Sequence, residues 1–120
     1  MRVMIVEDNT RMRKMLRTLV NRSVENLDMI VECSSGREAI QEYDRSHPDW
    51  TLMDIEMEPI DGLQASAAIL KSHPGANIII VTNYDDTVYR KAADAIGVRA
   101  YLLKDNLCRL SEIITQKEES

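Results

Sequence analysis

Cysteine is scarce in this 120-residue chain. Cys33 and Cys108 show neither CxxC spacing nor the density of a secreted disulfide scaffold, so unpaired thiols in a reducing compartment are expected. Long apolar runs are missing as well. The start, Met1-Arg2-Val3-Met4-Ile5-Val6-Glu7-Asp8, turns acidic after four apolar residues. Nothing approaches the roughly 18 apolar residues of a membrane span, so neither a signal peptide nor a membrane helix is expected, and the setting implied is cytoplasmic. There is no basic excess: 15 Lys and Arg against 20 Asp and Glu leave a net charge of −5, which argues against a dedicated nucleic-acid surface in this stretch. Glycine is thin where a nucleotide site would need it. Gly36, Gly62, Gly75 and Gly97 are scattered, and the first turn reads Glu7-Asp8-Asn9-Thr10 rather than a phosphate-cradling loop. No Ser, Pro or Gly-rich linker and no solenoid-period repeat divides the chain, so one domain over residues 1–120 is expected.

What is present is ordinary globular composition, 44% hydrophobic and 29% charged, organised by alternation. Five short apolar runs recur at Val3 to Val6, Met29 to Cys33, Trp50 to Met53, Ile78 to Val81 and Ala100 to Leu103. Continuous short runs of this kind suit central strands of a parallel sheet covered by helices on both faces. Between them, Met12, Met15, Leu16 and Leu19 make one amphipathic helix. Ser35 with Glu38 caps a second, which Pro48 stops. Gly62 opens a third helix, ending before His73-Pro74-Gly75. A fourth, alanine-rich one runs from about Asp85 to Ala95 with Gly97 as its breaker, and Leu107, Leu110, Ile113 and Ile114 stripe a fifth. Residues 117–120 read as a frayed terminus or the start of a linker. The fold expected is a (βα)5 three-layer α/β sandwich with right-handed crossovers.

In an open parallel sheet, ligands sit beyond the carboxyl ends of the strands. There stand Glu7 and Asp8 after the first run, Asp54 at the end of the third, Thr82 after the fourth and Lys104 after the fifth. Three carboxylates with oxygen-only donors suit Mg²⁺ or Mn²⁺ better than Zn²⁺, and neither His47 nor His73 falls in a ligand-like position. Each member has a bland reading. Glu7 and Asp8 suit the positive end of the first helix, Thr82 an ordinary strand end, Lys104 a solvated surface and Tyr101 simple packing. A cation such as Lys104 is nonetheless what clustered carboxylates and an incoming phosphoryl group would lack.

Taken together, Glu7-Asp8, Leu52-Met53-Asp54-Ile55-Glu56-Met57 through Asp61-Gly62, Val81-Thr82 and Tyr101-Leu102-Leu103-Lys104 resemble the receiver domain of two-component response regulators. The resemblance implies a flavodoxin-like fold with sheet order 2-1-3-4-5. It implies Asp54 as acceptor of a phosphoryl group from the phosphohistidine of a sensor histidine kinase, with self-catalysed phosphorylation and slow self-dephosphorylation. Asp8, Asp54 and the backbone carbonyl of Glu56 would bind the metal directly, and Glu7 through water. Lys104 would contact the phosphoryl oxygens, and Thr82 would turn toward them as Tyr101 moves inward. Asn83 and Tyr84 would flank access to the site. The face made by the fourth helix, fifth strand and fifth helix would change for a partner, including a phosphorylation-dependent homodimer. Residues Gly97 to Asp105 are most similar to receivers of the LuxR/NarL type, so DNA would be contacted only through an output domain beyond residue 120. Departures from the common pattern are Met57-Glu58-Pro59, where the proline is displaced, Asp105 in place of a proline after Lys104, and Asn83 in place of a small residue. Other functions compatible with parts of the pattern are a receiver-like interaction module that no longer uses phosphorylation, an aspartyl-intermediate phosphatase and a flavodoxin-type electron carrier.

Overall fold

The computed structural model describes residues 1–119, with side-chain surroundings to residue 115. The chain alternates β1 (Arg2–Val6), α1 (Thr10–Ser23), β2 (Met29–Cys33), α2 (Gly36–Ser46), β3 (Trp50–Met53), α3 (Gly62–Ser72), β4 (Ile78–Thr82), α4 (Thr87–Ile96), β5 (Ala100–Leu103), a 3₁₀ segment (Lys104–Arg109) and α5 (Leu110–Glu119). All strand pairs are parallel, in the order β2-β1-β3-β4-β5, which is the expected flavodoxin-like arrangement.

The continuous apolar runs are explained by two cores, one on each face of the sheet. Val3, Ile5, Trp50, Leu52, Ile79 and Val81 pack against Leu16 and Val20 of α1 and Leu110 and Ile114 of α5. Their neighbours Met4, Val6, Met53, Ile78 and Ile80 pack against Ala39 and Tyr43 of α2, Ala65 and Ile69 of α3 and Ala93 of α4. A strand with both faces covered has no wet side and therefore shows no polar alternation. The edges differ. In β2, Met29 is half exposed and only Cys33 is fully buried, so this run is an edge strand rather than a central one.

Caps fix where the helices point. Asn9 accepts from the Met12 N–H at 2.9 Å and starts α1 immediately after the acidic pair. Ser35 caps α2 through the Glu38 N–H at 3.2 Å, while the Glu38 carboxylate reaches back to Ser34 instead of to the cap itself. Asp61 and Gln64 form a reciprocal capping box on α3. Asp86 caps α4, which therefore starts at Thr87, later than Asp85 as expected from the sequence, because Asp86 accepts from both Val88 and Tyr89. Gly97 ends α4 in the left-handed region at φ 93°, as anticipated. Leu107 does not belong to α5: it lies in the 3₁₀ segment between β5 and α5, where it packs against the core to which α1 and α5 contribute. Met15, expected on the buried stripe of α1, is 51% exposed because Leu16 and Val20 carry that contact. Helix α5 continues through Glu119, and the part of the expected frayed terminus at Ser120 lies outside the described residues. Among the described residues, no helix is long and apolar enough to cross a membrane.

Candidate phosphoryl and metal site

The strand order places β1 next to β3 and reverses the direction of winding between them, which opens a crevice at their carboxyl ends. The Asp54 N–H donates to the Val6 carbonyl at 3.0 Å, and the Glu7 N–H to Cys33 at the same distance, so Glu7 and Asp54 are held by extensions of the sheet. Both side chains are almost fully buried, whereas Asp8 stands exposed at the rim. One oxygen from each of Glu7, Asp8 and Asp54 lies within 4.8 Å of the others. Gly62 closes the floor: its N–H donates to the Ile55 carbonyl at 2.9 Å, and a Cβ there would fall 1.9 Å from the Asp54 carbonyl oxygen. Only glycine lets the start of α3 approach the acidic strand end this closely.

Lys104 enters from the end of β5. Its Nζ donates to Glu7 Oε1 at 2.8 Å and lies 3.3 Å from Asp54 Oδ1, but not aligned for a hydrogen bond, which leaves that buried oxygen without a partner. Glu7 Oε2 accepts from the Asn9 N–H at 3.2 Å, and Arg13 donates to the Glu7 backbone carbonyl. One ammonium thus faces two buried carboxylates. Burial pushes the Asp54 carboxyl up to about 7, the Glu7 charge adds to this, and Lys104 opposes it. Burial would also raise Glu7, but the Lys104 and Asn9 hydrogen bonds outweigh it and hold Glu7 below the usual carboxylate range. Asp8 is raised by desolvation and then by Glu7. For Lys104, burial works to lower the ammonium, yet its two carboxylate partners keep it above the ordinary lysine range. The cluster is short of positive charge, and its donors are all oxygen. The partnerless Asp54 oxygen and the crowded acids fit a hard divalent cation such as Mg²⁺.

The cluster opens into a cleft of about 670 Å³, lined also by Met12 and Met15 of α1 and by Glu56 and Asn83. Thr82 is fully buried at the end of β4, with its Oγ1 accepting from the Tyr84 N–H at 3.2 Å. Tyr84 donates its phenol to Glu56 Oε2 at 2.7 Å, and the Tyr101 hydroxyl donates to the Tyr84 carbonyl at 2.6 Å. The residues expected at the site are therefore in two connected groups: Glu7, Asp8, Asp54, Glu56, Asn83 and Lys104 at the cleft, and Thr82, Tyr84 and Tyr101 beside it, not lining it. Sequence reasoning missed the Lys104–Glu7 pair and the contribution of α1. Met12 and Met15 were read only as packing residues of α1, and no sequence signal separated the cleft-lining Met15 from the buried Leu16.

The sequence profile of the response regulator receiver domain matches residues 3–115. The chain belongs to this family. Among similar receiver-containing proteins, it is 33% identical over 105 residues to the transcriptional regulatory protein YhcZ of Bacillus subtilis, covering 88% of this chain and 49% of that protein. It is 32% identical over 105 residues to the response regulator protein VraR of Staphylococcus saprophyticus, covering 86% of this chain and 49% of VraR. The receiver thus spans about half the length of these curated relatives. It also superposes on a crystal structure of a LuxR-family DNA-binding response regulator from Staphylococcus aureus with a TM-score of 0.87, at 28% identity and 96% coverage of both chains.

Proposed function

We propose that this receiver takes a phosphoryl group onto Asp54 from the phosphohistidine of a sensor histidine kinase and passes the event to an output. The observation that carries this reading is the buried, partnerless Asp54 Oδ1 at the foot of an open cleft, beside Lys104. In the transfer, a bond forms between an Asp54 oxygen and phosphorus as the phosphorus–nitrogen bond of the donor breaks, and the electron pair returns to the imidazole. Both reactants are negative, so the step needs positive charge around the reacting oxygens. Asp8, Asp54 and the Glu56 carbonyl, with Glu7 beside them, would hold a Mg²⁺ ion, which would supply part of it. Lys104 would supply the rest: it is already within 3.3 Å of Asp54 and would move its hydrogen bond from Glu7 to the phosphoryl oxygens. Burial strips water from Asp54 and preorganises it between the start of α3 and the end of β1.

Phosphorylation replaces about one negative charge by nearly two. Thr82 would turn from the Tyr84 N–H toward the new oxygens, and Tyr101 would occupy the space released. The α4-β5-α5 face would then present a changed surface to a second copy of the receiver. The relatives' length, the naming of YhcZ as a transcriptional regulatory protein and the likeness to a DNA-binding LuxR-family response regulator support a DNA-binding output following residue 120. Beryllofluoride, a phosphoryl mimic, tests the assignment. With Mg²⁺ it should shift amide resonances near residues 54, 82 and 101 in the wild type and leave Asp54→Asn unchanged. An equal response in Asp54→Asn would overturn the reading.

A further inference from the structure

Arg13 reaches back from the start of α1 to the strand end that precedes the helix. Its Nη1 donates to the backbone carbonyl of Glu7 at 2.8 Å, while its Nε lies 3.4 Å from Glu32 Oε1 on the edge strand β2. The other Glu32 oxygen accepts from Arg17 at 2.8 Å. The Glu7 carbonyl takes a side-chain donor where the sheet supplies none. The Glu7 N–H still reaches the Cys33 carbonyl at 3.0 Å, but β2 ends at Cys33 and the chain turns away toward the cap of α2. Among the described residues, no backbone N–H donates to that carbonyl. The Arg13 side chain is only 20% exposed, so its contacts are partly shielded from water. A planar guanidinium can face a carbonyl and a carboxylate at once from nitrogens in fixed relation, which a lysine ammonium cannot.

We infer that Arg13 is a positioning residue for the metal site: braced on Glu32, its guanidinium fixes the peptide between Glu7 and Asp8 and so aims both acidic side chains at the point where a cation meets Asp54. The Glu7 carbonyl and the Asp8 N–H belong to one planar unit, so holding the oxygen orients the plane from which both residues leave. The effect on Mg²⁺ rests on the reading of the acidic cluster as its site, whereas the brace itself rests on the hydrogen bonds alone. Charge and position act in opposite directions here. A cation beside the cluster repels Mg²⁺, so loss of the Arg13 charge alone would tighten metal binding. Loss of the brace lets the Glu7–Asp8 peptide rotate and weakens it. Glu32 contributes by keeping Arg13 from swinging out to solvent, and Arg17 holds Glu32 without touching Glu7.

Two measurements test the brace, calorimetric titration with Mg²⁺ and the backbone order parameter of the Asp8 amide in the metal-free protein. Groups that orient metal ligands are worth 10–100-fold in affinity, so Arg13→Gln should bind Mg²⁺ about tenfold more weakly although it removes a positive charge. Arg13→Lys, which keeps the charge and one donor, should recover part of the loss. Arg17→Gln should stay within about twofold of wild type, since it breaks only an exposed ion pair. Without metal, the Asp8 order parameter should fall from the rigid value of about 0.85 toward about 0.6 in Arg13→Gln and remain rigid in Arg17→Gln. Glu32→Ala, a change on the exposed edge strand, should lower the same order parameter and weaken Mg²⁺ binding about threefold, and it carries the test if Arg13→Gln does not fold. Equal or tighter Mg²⁺ binding by folded Arg13→Gln, or an unchanged Asp8 order parameter in that variant or in Glu32→Ala, would overturn the inference. If wild type binds no Mg²⁺, the metal reading fails while the order parameters still decide the brace.

Discussion

Replacing Asp54 by asparagine should stabilise the metal-free protein at about pH 8, and less than half as much at about pH 5. The Asp54 carboxyl is pushed from 3.8 up to about 7, first by burial and then by Glu7. Between those values the folded state keeps a proton that the unfolded chain has lost, so this group's contribution to stability is full below the unfolded pKa and disappears as pH rises through about 7. A rise of about three units, at 1.36 kcal/mol each, sets a ceiling of about 4 kcal/mol. Glu7 competes for the same ammonium, and the asparagine amide gains an unmatched donor in a site built for acceptors, so the expected gain is about 1–2 kcal/mol. For a domain of this size that is a rise in Tm of about 5 °C. Thermal unfolding of both proteins at the two pH values, in chelator, measures it. Adding Mg²⁺ should shrink or reverse the difference, because only the wild type retains the full ligand set and gains stability from binding. A less stable Asp54→Asn at about pH 8, or a difference of equal size at both pH values, would refute the charge-crowding argument.

Lys104→Ala should fold less stably by about 3 kcal/mol, because Glu7 is 1% exposed and would be left buried without its cation; urea unfolding checks this, and an unperturbed midpoint would contradict it. Asp8→Ala should lose most of its Mg²⁺ affinity in calorimetric titration, and Glu7→Gln should lose less, since a water-mediated ligand contributes less than a direct one. Gly62→Ala should cost at least about 3 kcal/mol, or displace the loop that carries Glu56, because its Cβ would overlap the Asp54 carbonyl at 1.9 Å; wild-type stability there would show that the loop yields cheaply.

The sheet was legible because its strands are short apolar runs whose neighbouring side chains enter opposite cores. Val3 and Met4, or Leu52 and Met53, differ in destination rather than in polarity. The acids at strand ends were legible because topology alone brings the ends of β1 and β3 together. What the sequence hid depends on side-chain direction. A lysine at position 104 reads equally well as a solvated cation or a site residue, and its pairing with Glu7 across 97 residues of sequence has no local signal. The same holds for the Glu56–Tyr84 bond, formed between two exposed loop residues. Leu107 was misjudged because the apolar residues at 107 and 110 are three apart, a spacing that a 3₁₀ turn and an α-helix share. Asp85 and Asp86 are both plausible caps, and only backbone geometry selects the second.

The central claim is that Asp54 carries the phosphoryl group, and intact-mass measurement after incubation with acetyl phosphate tests it most directly. Wild type should gain about 80 Da, the mass of one phosphoryl group replacing a proton, only when Mg²⁺ is present. Asp54→Asn should gain nothing. A Mg²⁺-dependent gain of the same size in Asp54→Asn would place the acceptor elsewhere and contradict the account.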